Sequence, residues 1–220
     1  MKKEACRTRN RAEKAVLSAL LRQKYEQNPT EAHLFRNFAR CMEKSDSILY
    51  SQAALDFVKV STAYCRFLEQ LSPNARGREE FCRTMCSLLP WLYAKAVEMP
   101  EVSETGGWNS PFVTEGDYND VLNRVAGVLG EWDDFLDVFV DDFKYSDTPV
   151  HCTISENLAD TYQTLRELVE TYRQGYEESM EVALRETLED FPTGWGRKLL
   201  GALRAIHDVK SADTSFEEEP

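Results

Sequence analysis

What the chain lacks narrows its chemistry first. It holds no apolar run of about 18 residues, the length a membrane-spanning helix needs. Its basic N-terminus is not followed by a compact apolar stretch and small residues, so no secretory leader is expected. Six cysteines (Cys6, Cys41, Cys65, Cys82, Cys86 and Cys152) include no C-x-x-C pair and no zinc-ligand spacing. Read as buried, reduced thiols, they fit a cytoplasmic protein. There are 3 histidines (His33, His151, His207), and no cysteine has a local His partner. No Gly-x-Ser-x-Gly elbow occurs, and Gly194-Trp195-Gly196 lacks the lysine–threonine pair of a phosphate loop. That tripeptide reads as a tight turn with Trp195 filling the core. His207, near the expected end of the last helix, reads as a group favoured by the helix dipole. No useful strand-like alternation and no repeat of solenoid length appear.

Acidic charge, by contrast, is abundant and unevenly placed. Residues 1–45 hold 11 Lys/Arg against 5 Asp/Glu; of the chain totals of 26 and 38, this leaves 15 against 33 beyond residue 45, a net of −18. Such a body repels phosphate backbones, so nucleic acid is not expected as its partner. Residues 12–27 and 31–44 read as two short basic amphipathic helices broken at Asn28-Pro29-Thr30. They would form an arm that docks on the acidic body or touches RNA or a membrane surface, unless Met42 is the true start.

From Ser51 onward the helical period is strong. Phe57, Val60, Tyr64, Phe67, Leu68 and Leu71 mark one helix, ended at Ser72-Pro73-Asn74. Phe81, Met85, Leu88, Leu92 and Ala96 mark the next, over about 77–99, with Pro90 inside it as an expected kink. Residues 100–113 are a glycine-, proline- and serine-rich loop. Its Trp108 marks a contact surface if exposed and a staple if buried. Thr114 with Asp117 resembles a capping box, and the stripe Tyr118, Val121, Leu122, Val125, Leu129 runs into Trp132 without a phase break. One long helix is therefore expected over 115–144. Thr153 with Glu156 opens the next helix, striped by Leu158, Tyr162, Leu165, Val169 and Tyr172 and closed by Gly175. Met180, Leu184, Leu188 and Phe191 mark a shorter helix, and Leu199, Leu200, Leu203 and Ile206 a last one over about 193–209.

Residues 131–144, EWDDFLDVFVDDFK, separate chemistry from packing on that long helix. At about 100° per residue, Trp132, Phe135, Leu136, Phe139 and Phe143 share one side. Asp133, Asp134, Asp137 and Asp141 share the other and are expected to face water as an interaction surface, together with Trp108. Glu156, Asp160, Gln163, Glu167 and Glu170 are likewise expected on an outward face. The competing reading is a metal site. All-α, magnesium-dependent nucleotide pyrophosphohydrolases gather carboxylates from Glu-Glu-x-x-Glu and Glu-x-x-Asp helices. This chain has Glu177-Glu178-x-x-Glu181 and Glu131-x-x-Asp134, in reverse order. On that alternative, Glu131, Asp134, Glu156 and Asp160 would hold Mg²⁺ or Mn²⁺.

Five ordered segments carry a resemblance: LLPWLYAKA from Leu88, VTEGDY from Val113, YSDTP from Tyr145, ISENLADTYQ from Ile154, and WGRKL from Trp195 continuing through LRAIH from Leu203. They resemble a bacterial, Bacteroidetes-type family known as domain-of-unknown-function family 5063, over about residues 46–210. The resemblance implies an all-α cytoplasmic protein and assigns no catalytic residue.

The expectation is thus an all-α fold: a single bundle of about six helices over 46–210, a basic N-terminal helical extension over 1–45, and a disordered acidic tail over 211–220. The functional reading leans against an enzyme, and outside the metal alternative no cofactor is expected. It favours a protein that meets a basic partner protein through its acidic surface.

Overall fold

The computed structural model describes residues 47–72, 77–102, 106–138 and 148–216. Chain contacts divide the protein into two units, 1–51 and 52–220. Of the first, the described part is a 3₁₀ turn, Ile48–Tyr50, capped where Ser47 Oγ accepts the Leu49 N–H at 3.3 Å. The basic helices expected over 12–27 and 31–44, and His33, lie outside the described residues.

The second unit is largely helical, as expected, with six α-helices among the described residues. Helix α1, Gln52–Glu69, buries Phe57, Val60, Tyr64 and Leu68 at helical spacing. Helix α2, Gly77–Val97, buries Phe81, Met85, Leu89, Leu92 and Ala96, with Leu89 inward where Leu88 was expected. Pro90 lies inside α2 on its exposed side. Helix α3, Glu115–Leu129, opens with both halves of the capping box: Thr114 Oγ1 accepts the Asp117 N–H at 3.2 Å, and Asp117 Oδ2 accepts the Thr114 N–H at 2.9 Å.

The long helix expected over 115–144 is not there. Gly130 takes φ +58, a conformation that L side chains avoid, and ends α3. A 3₁₀ turn, Gly130–Trp132, leads into strand β1, Asp134–Asp137. Antiparallel to it lies β2, Val150–Thr153, in the register Asp134↔Thr153 to Asp137↔Val150. The apolar spacing of this segment fits a 3.6 period, but the chain leaves the helix at Gly130 and burial along 134–137 then alternates from residue to residue. Phe135 and Asp137 turn toward the body while Leu136 and Val138 are exposed. At Gly201, an added Cβ would stand 3.7 Å from Phe135 Cζ and 3.1 Å from Asp137 Oδ2. Arg204 Nη2 donates to Leu136 O and to Asp137 Oδ1, both at 3.0 Å. The hairpin therefore lies against the last helix. Phe139, Asp141 and Phe143 lie outside the described residues.

Helix α4, Ile154–Gln174, is the hub, touching α1, α3, the fifth and sixth helices and β2. Helix α5 spans Glu177–Asp190, and α6 spans Trp195–Phe216, well past the end expected near Val209. His207 therefore sits inside α6 rather than at its C-terminus, and the dipole role expected of it does not apply. Trp195 is buried as expected. Its ring is stacked on Phe57 and tilted against Phe191, with centroids at 6.2 and 4.7 Å, and its Nε1–H donates to Thr187 O at 2.8 Å. Across the core, the buried Tyr64 hydroxyl donates to Leu158 O at 2.8 Å. No helix among the described residues is long and apolar enough to cross a membrane.

Candidate functional site

The carboxylates expected to point into water turn out to be divided in their tasks. Asp133 is buried at 8% exposure. Its Oδ1 accepts the Ser155 N–H at 2.7 Å, its Oδ2 accepts the Ser155 hydroxyl at 2.5 Å, and its carbonyl accepts the Ile154 N–H at 2.8 Å. Together with Thr153 Oγ1, which accepts the Glu156 N–H at 3.2 Å, Asp133 satisfies the first amides of α4. Placing Asp133 on a wet helix face was wrong, because its partners lie 22 residues on, beyond the reach of any periodicity. Asp134 is exposed and pairs with His151 Nε2 at 3.1 Å, and Asp137 is held by Arg204. The row Asp133–Asp137 is thus not one surface.

The outward acidic face expected of α4 is also used inside the fold. Asp160 accepts the Tyr118 hydroxyl at 2.9 Å and pairs with Lys198. Glu167 accepts the N–H of Phe112 on both oxygens, each at 2.9 Å, and the N–H of Val113 at 2.8 Å. Glu170, nearly buried, is bridged by Arg166 at 3.0 Å and by Arg173. Hydrogen bonds from Arg173, then from Arg166, hold its carboxyl below the usual glutamate range. Of the metal alternative, Glu131 and Glu156 are exposed, whereas Asp134 and Asp160 have the separate partners just named. Among the described residues, no group of three or more His, Cys, Asp or Glu side chains is placed to hold a metal ion.

A polar pocket of about 330 Å³ opens between α1, α3, α4 and the 112–113 segment. Four carboxylates reach it (Glu69, Asp117, Asp120, Glu170) against two guanidinium groups (Arg124, Arg166), with Phe112, Val113 and Val121 as apolar wall. Its floor is a bonded chain: Tyr162 Oη and Arg166 Nε both donate to Glu69 Oε1 at 3.0 Å. Burial, then the Glu69 charge, pushes the Tyr162 phenol well above its ordinary value, so it stays a hydroxyl. Arg124 Nη1 donates to Leu71 O at 2.9 Å. Thr114, through its hydroxyl and then its amide, holds the Asp117 carboxyl below its ordinary value. Cys65 is close enough to Glu69 and Arg166 to feel both charges, and burial above all pushes its thiol far up. Burial is also the leading cause of the upward shifts of Cys86 and Cys152. None of these three is primed as a thiolate nucleophile. The four cysteines among the described residues are free thiols. Sequence reading missed this pocket. Only the Arg166–Glu170–Arg173 spacing on α4 hinted at it.

The loop before α3 is held at several points. A Cβ at Gly107, whose φ is +152, would stand 2.7 Å from Val182 Cγ2. Asn109 Nδ2 donates to Ser179 O at 2.8 Å, and the Glu167 carboxylate grips Phe112 and Val113. Between these anchors Trp108 stands 76% exposed, so of its two expected readings the staple is excluded. Tyr176, Glu177 and Glu178, at the start of α5 beside Ser179, are exposed as well. Trp91 is also half exposed.

The fold and these sites define a helical-bundle protein with a small hairpin insert, a polar pocket and a presented tryptophan. The chain belongs to the family described as Domain of unknown function (DUF5063), whose model matches residues 48–212. Among solved structures, the crystal structure of protein BF1032 from Bacteroides fragilis is similar, at 31% identity and a TM-score of 0.63. The match covers 74% of this chain and 96% of that one. No curated protein matches.

Proposed function

We propose that the protein acts by binding another protein, one with a basic face, through an acidic and aromatic surface made by the 106–113 loop and the first turn of α5. The observation that carries this reading is Trp108, 76% exposed on a loop that is bonded to α5 at the next residue, Asn109, and to α4 at Val113. A large apolar side chain held out of the core by its own anchors is the chemistry of a contact residue, and tryptophan is enriched among residues that dominate binding energy. The setting supplies the sign of the partner. Glu177 and Glu178 lie beside the loop, and the chain carries a net charge of −12.

The test is co-purification of the full chain from its native cells in low salt, beside Trp108→Ala. A basic protein should be recovered with the unaltered chain and released by moderate salt, since exposed charges are screened within about 10 Å at 0.1 M. Replacing Trp108 should weaken that complex by about 30-fold, the effect of losing a central aromatic anchor. Recovery of the same proteins with Trp108→Ala as with the unaltered chain would end the reading.

A further inference from the structure

The polar pocket has a feature the docking surface alone does not use. Three of its four carboxylates are occupied within the protein: Glu69 by Tyr162 and Arg166, Glu170 by Arg166 and Arg173, and Asp117 by Thr114. Among the described residues the Asp120 carboxylate has no hydrogen-bond or ion-pair partner, although it lines the same cavity. Counting Arg173, which pairs Glu170, four carboxylates stand against three guanidinium groups, so the unmatched negative charge is that of the exposed Asp120, which a cation would meet. Phe112, Val113 and Val121 give an apolar wall along which the methylenes of a long side chain can lie while its charged head stays polar. A volume of about 330 Å³ is at the small end of ligand pockets, which start near ~300 Å³, and suits one side chain better than a nucleotide. The wall is held in place, because Glu167 fixes the amides of Phe112 and Val113. Phe112 follows Trp108 by four residues, so the two lie within about 14 Å along the chain, and one short segment of a partner can reach both.

We infer that this pocket seats the guanidinium or ammonium end of an arginine or lysine side chain projected by the protein partner, with Asp120 as the residue that meets it. This rests on the reading that the partner is basic, and it adds where one of its charges goes.

The test is an NMR titration of the full chain with N-acetyl-arginine amide and N-acetyl-lysine amide, with N-acetyl-glutamate amide as the probe of opposite charge. Saturable shifts at Val113, Val121 and Arg166 are expected, with a Kd on the order of 1 mM for so small a ligand. Asp120→Asn should weaken that binding about 3- to 5-fold, the scale of an exposed ion pair. Trp91→Ala, on α2, should leave it unchanged. The inference is overturned if the glutamate derivative binds the same residues as tightly, or if the cationic probes give unsaturated shifts spread over the acidic surface. Equal binding by Asp120→Asn would also overturn it. Failure here is separable from failure of the docking reading. A Trp108-dependent partner that binds Asp120→Asn unchanged removes the pocket and keeps the surface. Saturable binding of the arginine probe with no Trp108-dependent partner does the reverse.

Discussion

Two of the described segments between helices treat their side chains in opposite ways. In the 106–113 loop a tryptophan is turned out to 76% exposure, while at the start of the hairpin an aspartate is turned in to 8%. The difference comes from what each segment must satisfy. The loop has its amides taken by Glu167 and its Asn109 bonded to Ser179, so its indole is not needed to hold it. The hairpin runs directly into α4, whose first amides need acceptors, and Asp133 supplies two oxygens and a carbonyl. Residue type predicts burial only until local hydrogen-bond demand outweighs it.

The sharpest way to break this comparison is Asp133→Ala. It removes the acceptors of Ser155 N–H and Oγ–H in a buried place, and we expect a loss of about 2–4 kcal/mol in urea unfolding. A loss under about 0.5 kcal/mol would show that water replaces the carboxylate without cost.

Glu170 sharpens it through pH. Its folded-state value lies below the ordinary glutamate value of 4.5, so its contribution is fully present above that value. It is lost as the pH falls through the lower, folded-state value. Glu170→Gln should cost about 1–2 kcal/mol at neutral pH and nearly nothing at the acid end, seen as a flatter acid limb in the unfolding midpoint. Parallel acid limbs for the two proteins would refute this.

Gly107→Ala tests how firmly the loop is seated. The added methyl meets Val182 at 2.7 Å in a backbone conformation that L residues rarely adopt. A cost of about 1 kcal/mol is expected, with faster amide exchange at Phe112 and Val113. Unaltered exchange would mean the loop is not held there. The smallest effect belongs to Trp108→Ala, which should leave stability within about 0.5 kcal/mol. A larger loss would show the indole to be structural and weaken the docking reading at its source.

Most helices were legible because their signals are local. Phe57, Val60, Tyr64 and Leu68 announce α1 by spacing alone, and Thr114 with Asp117 announces the start of α3. Trp195 between two glycines was legible as a core residue for the same reason. The hairpin was not, because its apolar residues fit a helical period and the deciding events are Gly130 and the fit against Gly201. Nor was the use of the α4 acids: Glu167 serves amides 54 and 55 residues away, and Glu69 meets Tyr162 across 93. A helical wheel shows which side of α4 is polar, but not whether another element arrives to cover that side.

Gly196 carries a consequence for sequences still to be compared with this one. Any side chain there would begin 2.3 Å from the carbonyl oxygen of Phe191. Backbone cannot swing aside as a lysine tip would, so the turn from α5 into α6 admits one amino acid at that spot. The position is a fixed registration mark: a relative that keeps this corner must keep its glycine, whatever else has drifted around it.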